Sequence, residues 1–95
     1  MVPIEDVYRQ IGRFASEFGA KRVLLFGSRA RGENRPTSDI DLAVEGCRDF
    51  DGLYDKLQND LWSLLDIDVI NLDGPVSEEL RSQIERDGKV LYEKV

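Results

Sequence analysis

Apolar residues near the start of the chain recur every three or four positions, which is the spacing of one helix face. They are Ile4, Val7, Ile11, Phe14 and Phe18. Pro3 suits a helix start, and Gly19 suits a helix end. The pattern therefore predicts a first helix between these two residues.

Two short strands are predicted after this helix. Lys21 to Phe26 contains the continuous apolar run VLLF between charged residues and a glycine, which is typical of a buried strand. From Asp39 to Glu45 apolar and polar residues alternate, so that one face is apolar and the other carries two carboxylates. The two sets are Ile40, Leu42 and Val44, and Asp39, Asp41 and Ala43.

A second amphipathic helix is predicted to begin at Asp49, a suitable N-cap, and to continue to Leu65. Gly52 is a weak point near its start, because glycine has a low helix propensity. The apolar stripe of this helix comprises Phe50, Leu53, Tyr54, Leu57, Leu61, Leu64 and Leu65. Trp62 is expected to complete the buried stripe.

The rest of the chain predicts a strand, a helix and a closing strand. Ile67 to Leu72 forms the third strand, and the sequence DGP makes the turn after it. A third helix follows from its N-cap Ser77 to Asp87, and Gly88 provides the C-terminal stop. Val90 to Tyr92 could add a short edge strand.

The order of these elements predicts one domain over residues 1–95. Its fold class is α/β, a small mixed β-sheet in two layers with helices packed on it. A chain of 95 residues with 41% apolar residues can bury a modest core without disulfides. Because there is no histidine and Cys47 is the single cysteine, a protein-only zinc site and an internal disulfide are both excluded. Any metal must be held by oxygen ligands.

The formal net charge of −6 argues against a general nucleic-acid binder, which would present a basic face. No apolar run approaches the roughly 20 residues of a membrane span, and no leader opens the chain, so we expect a protein of the reducing cytosol. Arg29, Arg31 and Arg35 nevertheless lie in one loop. A local anion site is compatible with this cluster, and so is an ordinary solvated loop.

Two aspartates on one strand face suggest a metal site. Alternation places Asp39 and Asp41 about 6 to 7 Å apart, close enough to reach one ion. Asp68 in the third strand could project onto the same face of the sheet. Three such carboxylates suit Mg²⁺, which binds through a few carboxylates plus substrate phosphates. The alternative for the D-x-D pair is a strand face that is simply solvated.

The turn before the arginine loop fits the phosphate end of such a site. Gly27 would let the backbone approach a phosphate closely, and Ser28 offers a hydroxyl and an N–H group where a short helix could begin. Gly27 could equally be an ordinary turn glycine. Neither GxxxxGK[ST] nor GxGxxG occurs, which excludes P-loop hydrolases and dinucleotide-binding Rossmann enzymes.

The segment FGSRARGENRPTSDIDLAV as a whole resembles the signature of the DNA polymerase β-type nucleotidyltransferase superfamily. In it Gly27-Ser28 is followed, after ten residues, by Asp39-Ile40-Asp41. The spelling GSRARG followed by SDID is similar to that of the minimal nucleotidyltransferases, the MntA-like antitoxin family. The resemblance extends through the strand with Asp68 to the closing segment GKVLYE and implies a polymerase β-like palm fold.

The resemblance also implies roles for the carboxylates. Asp39 and Asp41 would bind two Mg²⁺ ions together with the triphosphate of ATP. Asp68 would be the third metal-binding carboxylate and would favour deprotonation of the attacking hydroxyl. Asp66 lies on the same strand face and is the rival for that third role.

Roles for the turn and the arginine loop follow from the same resemblance. Gly27 and Ser28 would contact the triphosphate, and Arg31 occupies the arginine position of the family. Arg29 and Arg35 fall at variable positions, so contact with a phosphate or with a partner stays open for both.

The implied reaction is transfer of AMP from ATP to a hydroxyl, with release of pyrophosphate. In the MntA-like family the acceptor is a tyrosine of a cognate HEPN toxin, an RNA-cleaving protein, so we expect an antitoxin in a hetero-oligomer that does not bind nucleic acid directly. One alternative is an antitoxin that masks its partner without catalysis. Others are a nucleotidyltransferase acting on RNA or a small molecule, and a purely structural acidic domain.

Overall fold

The computed structural model describes residues 3–61 and 63–95. The helices and strands in these ranges are α1 (Ile4–Glu17), β1 (Arg22–Phe26), α2 (Ser28–Arg31), β2 (Ile40–Glu45), α3 (Phe50–Asn59), β3 (Ile67–Asn71), α4 (Glu78–Asp87) and β4 (Lys89–Glu93). None of the described helices has the length and apolar character needed to cross a membrane.

The four strands form one mixed sheet in the order β3-β2-β1-β4. β1 pairs antiparallel with both β2 and β4, whereas β2 and β3 are parallel. The predicted mixed sheet is confirmed, and so is the closing strand, since β4 forms one edge. β3, which carries the third aspartate, forms the other edge.

Helices lie on both faces of the sheet. On one face α1 and α3 pack against Val23 and Leu25. On the other, Ile84 of α4 packs with Leu24 and Ala43. Successive strand residues point to opposite faces, so the buried neighbours Val23 and Leu24 each need helical cover on their own side. The prediction of two layers is therefore wrong, and the arrangement is a sheet between two helical layers.

Helix α3 begins where predicted and ends early. The carboxylate of its N-cap Asp49 accepts a hydrogen bond of 3.0 Å from the N–H group of Gly52. The helix ends at Asn59, with Asp60 as its C-cap, although the apolar spacing continues to Leu61. The side-chain amide of Gln58 donates instead to the carbonyl of Ile67 at 2.8 Å, which ties the end of α3 to the start of β3.

The end of the predicted stripe consequently lies in a loop. Leu61 and Leu65 still pack against the core. Leu64 is fully exposed, so the prediction of a helix through Leu65 with a buried Leu64 is wrong. The prediction for Trp62 falls outside the described residues.

The last helix is close to its prediction. The hydroxyl of Ser77 caps α4 by accepting a hydrogen bond of 3.2 Å from the N–H group of Leu80. Gly88 follows the last helical residue in an extended conformation, and β4 begins directly after it. The cap and the stop were both readable in the sequence.

Candidate active site

The register of the sheet brings Asp41 and Asp68 together. Asp41 is the partner of Asp68 across the parallel pair and of Phe26 across the antiparallel pair. Residues in register share a face of the sheet, so both carboxylates project from the face that α4 covers further along the strands. Asp39 directly precedes β2 and is exposed. The three predicted carboxylates thus gather at one end of one face.

Their proximity is visible in the protonation of Asp41. Burial of this half-exposed carboxyl is the largest cause that raises its pKa, and the negative charge of Asp68 is the next. The charge of Asp39 and a hydrogen bond between the Asp41 and Asp68 carboxyls raise the pKa further. The cluster is therefore a site of concentrated negative charge, which a cation would stabilise.

Asp68 rather than Asp66 faces Asp41. The backbone carbonyl of Asp66 accepts a hydrogen bond of 2.9 Å from the N–H group of Ile40, just before the two strands begin. Within the described chain, the carboxylates that raise the pKa of Asp41 are those of Asp68 and Asp39. This geometry favours Asp68 for the third role.

Gly27 lies against the same carboxylate. Its backbone has φ 75° and ψ −155°, a region that is essentially restricted to glycine. A Cβ at this position would overlap the carboxylate of Asp41, with the Cγ of Asp41 at 3.2 Å. The glycine therefore lets the turn that starts α2 approach the acidic cluster closely, which an ordinary turn glycine would not require.

The short helix α2 joins this turn to Arg31. Ser28 is its first residue, and the N–H groups of Ala30 and Arg31 donate to the carbonyl of Gly27 at 3.1 and 3.2 Å. The Nε of Arg31 donates to Glu33 at 2.9 Å, and the Arg31 charge lowers the pKa of Asp41. Gly27 thus lies against the Asp41 carboxylate and the charge of Arg31 acts on it, and Ser28 follows Gly27 at the start of the helix.

The residues that the structure describes do not form a metal cage by themselves. In residues 3–61 and 63–95 no group of three or more acidic, histidine or cysteine side chains is arranged to hold a metal ion. Mg²⁺ commonly needs only one or two carboxylates when substrate phosphates supply other ligands. The adjacent Asp41 and Asp68 carboxyls, with Asp39 beside them, fit an ion that arrives with a nucleotide.

Arg29 has a role that the sequence left open. Its guanidinium donates two hydrogen bonds to the carbonyl of Ser38, at 2.9 and 3.1 Å, and one to the carbonyl of Pro36 at 3.2 Å. These bonds fix the loop immediately before Asp39. No pattern in the sequence pointed to this contact, because it depends on how the loop folds back over α2.

We expect Arg29→Lys to loosen this loop, because a lysine cannot reproduce the planar fork of a guanidinium. The expected results are a loss of about 1–2 kcal/mol in the free energy of unfolding and faster amide exchange at Ser38 and Asp39. Chemical denaturation and hydrogen-exchange NMR measure the two effects. Arg35→Lys is the matched control, since within the described residues the Arg35 side chain has no hydrogen-bonded partner. Unchanged exchange in Arg29→Lys would contradict the assignment.

Comparison with known proteins agrees with this geometry. The family model described as "Polymerase beta, Nucleotidyltransferase" matches residues 10–95. The chain is 45% identical over 42 residues to "Putative protein adenylyltransferase MJ0435" of Methanocaldococcus jannaschii. That match spans 44% of this chain and 45% of the relative, so less than half of the curated relative is covered.

Two solved structures share the fold over nearly the whole chain. One is a toxin-antitoxin with AMP-PNP, at 28% identity and a TM-score of 0.68, covering 95% of this chain and 73% of the other. The second is a mutant of the toxin-antitoxin MntA-HpeT, at 25% identity and a TM-score of 0.71, covering 92% and 73%.

Proposed function

Because this chain belongs to the polymerase β nucleotidyltransferase family, we propose that it is a protein adenylyltransferase that modifies and silences a partner toxin. The resemblance to MntA-like minimal nucleotidyltransferases is confirmed by the structural similarity. The observation that carries the proposal is the contact of Gly27 with Asp41, beside Asp68 in register. It joins a phosphate-binding turn to a pair of carboxylates in one site.

The nucleotide end of the site is built from the turn and α2. Gly27 lets the turn lie against the Asp41 carboxylate. A triphosphate bound at this turn would therefore lie beside the carboxylates, and Ser28 would offer its hydroxyl and N–H group to the phosphate oxygens. Arg31 adds a positive charge at the same end. The complex of a similar toxin-antitoxin with AMP-PNP supports a nucleotide substrate for this chain.

Asp39, Asp41 and Asp68 are the residues that would hold Mg²⁺. When bound, the metal would neutralise charge on the carboxylates and on the triphosphate and would polarise the phosphoryl group. The repulsion that raises the pKa of Asp41 disfavours three ionised carboxylates without such a cation. We therefore expect activity only in the presence of a divalent cation.

In the proposed reaction the acceptor hydroxyl oxygen attacks the α-phosphorus of ATP. The new bond joins that oxygen to the α-phosphorus, and the bond from the α-phosphorus to the oxygen bridging to the β-phosphorus breaks. Pyrophosphate leaves with the electron pair of the broken bond. The hydroxyl proton passes to a carboxylate, for which Asp68 is our assignment.

The proposed acceptor is a tyrosine of a cognate HEPN-type ribonuclease toxin. Both similar structures are toxin-antitoxins, which supports a toxin as the partner. The partner would supply the acceptor hydroxyl through its own docking surface, and the cytosol is the proposed compartment.

Intact-mass analysis of the cognate HEPN-type toxin tests the proposal. The toxin is incubated with this protein, ATP and Mg²⁺, and we expect a mass gain of one or more AMP units on a tyrosine. Omitting Mg²⁺ or replacing ATP by its α,β-methylene analogue is the control, and neither reaction should modify the toxin, because the methylene group replaces the α–β bridging oxygen that must leave with pyrophosphate. If the toxin stayed unmodified while its ribonuclease activity was suppressed, the catalytic proposal would be wrong, and masking of the toxin by binding would explain the suppression.

A further inference from the structure

A second charged region lies at the end of the sheet opposite the aspartates. Lys21, Arg48 and Lys94, together with Gly19 and Gly46, line a cleft of about 380 Å³, which we call the cationic cleft. It lies where the α1–β1 turn, the β2–α3 loop and the end of β4 meet. None of the roles proposed above uses these residues.

The cleft is separated from the carboxylates by the length of a strand. Lys21 directly precedes β1, and Phe26, the last residue of β1, pairs with Asp41. Five residue steps along a strand correspond to about 17 Å. An anion in the cleft would therefore not be the nucleotide held by the acidic cluster.

Backbone hydrogen bonds fix the three segments that carry the cations. The N–H group of Lys21 donates to the carbonyl of Glu45 at 3.0 Å, and that of Lys94 donates to the carbonyl of Lys21 at 2.9 Å. The N–H group of Arg48 donates to the carbonyl of Gly19 at 3.2 Å. These bonds fix the backbone of the three cationic residues, whereas their side chains are exposed.

Two glycines let the cationic side chains lie on the opposite loop. Gly19 and Gly46 have φ of 75° and 64°. A Cβ on Gly19 would stand 2.9 Å from the Nε of Arg48, and a Cβ on Gly46 would stand 2.7 Å from the Cβ of Lys21. Each loop therefore supplies a glycine against which the basic side chain of the other loop packs, through its guanidinium Nε for Arg48 and through its aliphatic stem for Lys21.

Three carboxylates near the cleft have partners other than its cations. Glu45 pairs with Arg22 at 2.9 Å, Asp49 caps α3, and Asp73 accepts a hydrogen bond of 2.7 Å from the N–H group of Gly46. Within the described ranges, no ion pair involves any of the three cations of the cleft. Three positive charges therefore line the cleft without a direct ion pair in a protein of net charge −6, with the Asp73 carboxylate next to them at Gly46.

We propose that the cationic cleft binds a multivalent phosphate-type oxyanion, such as pyrophosphate. Such an anion can contact several cations at once and relieves their mutual repulsion, whereas a monovalent anion relieves less of it. A guanidinium with two ammonium groups offers enough donors for the oxygens of two phosphoryl groups. The proposal does not depend on transferase activity.

Amide NMR of the full chain, titrated with inorganic pyrophosphate in EDTA, tests the site. Without divalent cations the acidic cluster repels the probe, so we expect saturable shifts at Gly19, Gly46 and Lys94 and none at Gly27. Arg48→Gln should weaken the affinity at least about fivefold, because one charge-assisted contact is lost. Arg13→Gln, at an exposed cation of α1, is the matched control and should leave the affinity unchanged.

Three results would overturn the proposal. The first is a set of shifts that grow linearly without saturation, as for weak general screening by salt. The second is equal weakening by Arg48→Gln and Arg13→Gln. The third is equal affinity for citrate, which would show that the cleft selects charge alone. Lys94→Gln repeats the test at a second cation, so that a folding defect of one variant does not decide the outcome.

Discussion

Asp41→Asn is expected to lower nucleotide transfer by at least about 100-fold, since it removes a charge proposed to bind the metal and the triphosphate through it. The fold should be at least as stable as before. Burial and the charges of Asp68 and Asp39 disfavour the ionised form of Asp41, and asparagine is nearly isosteric but uncharged. Loss of transfer would then reflect chemistry and not unfolding.

The pH dependence of stability follows from the direction of the same shift. The pKa of Asp41 is raised above its ordinary value of 3.8 in the folded protein. The folded state therefore holds this proton more tightly than the unfolded state, and the stabilisation is present below pH 3.8 and is lost as pH rises through the folded pKa. Asparagine does not titrate, so Asp41→Asn does not lose stability in this way. In urea unfolding, its free energy of unfolding should exceed that of the native chain at pH values above the folded pKa of Asp41.

Asp66→Asn is the matched control for this variant. It removes one carboxylate from the same end of the sheet, at a residue that does not face Asp41. We expect it to retain transfer and the Mg²⁺-dependent binding of AMP-PNP, measured by calorimetry, which Asp41→Asn should lose. If Asp66→Asn and Asp41→Asn behaved alike, the assignment of Asp68 as the third carboxylate would be wrong.

Periodicity in the sequence predicted the elements well where burial is one-sided. The stripe of α1 follows from a single buried face, and the alternation of β2 arises because the face that carries Asp41 is only partly covered at that end of the strand. The prediction failed where apolar residues lie outside a regular element, as with Leu64 after α3. The predicted number of layers was also wrong. Val23 and Leu24 are adjacent in a continuous apolar run, and such a run does not show that each face of the sheet is covered by a different helix.

The candidate site was predictable in its composition and only partly in its geometry. Spacing placed Asp39 and Asp41 on one face, but the pairing of Asp41 with Asp68 depends on the parallel register of β2 and β3. The contact of Gly27 with Asp41 depends on a backbone conformation that residue types alone do not specify. Arg29 donates to backbone carbonyls of the loop that follows it, and such a contact cannot be predicted from the pattern of side chains.

Gly27→Ala is expected to damage both the fold and the site. An alanine would have to adopt φ 75° and ψ −155°, which costs about 1–3 kcal/mol, and its Cβ would also overlap the Asp41 carboxylate. We expect a total loss of about 3 kcal/mol or more in the free energy of unfolding, measured by chemical denaturation. Displacement of Asp41 by about 1 Å should lower transfer by about 100-fold, because catalysis requires close alignment of the reacting groups.

Gly32→Ala separates backbone strain from the overlap. Gly32 also has a positive φ, of 73°, but nothing lies within 4 Å of an added Cβ, so this variant should lose only about 1–2 kcal/mol and keep its activity. The double variant Gly27→Ala/Asp41→Ala removes the overlapping carboxylate. The double variant should lose less free energy of unfolding than the sum of the changes in the two single variants, by about 1 kcal/mol or more. The reason is that the effects of substitutions at residues in contact are not additive. If the changes in the free energy of unfolding were additive, Gly27 would be needed only for its backbone conformation, and the overlap with the Asp41 carboxylate would not contribute.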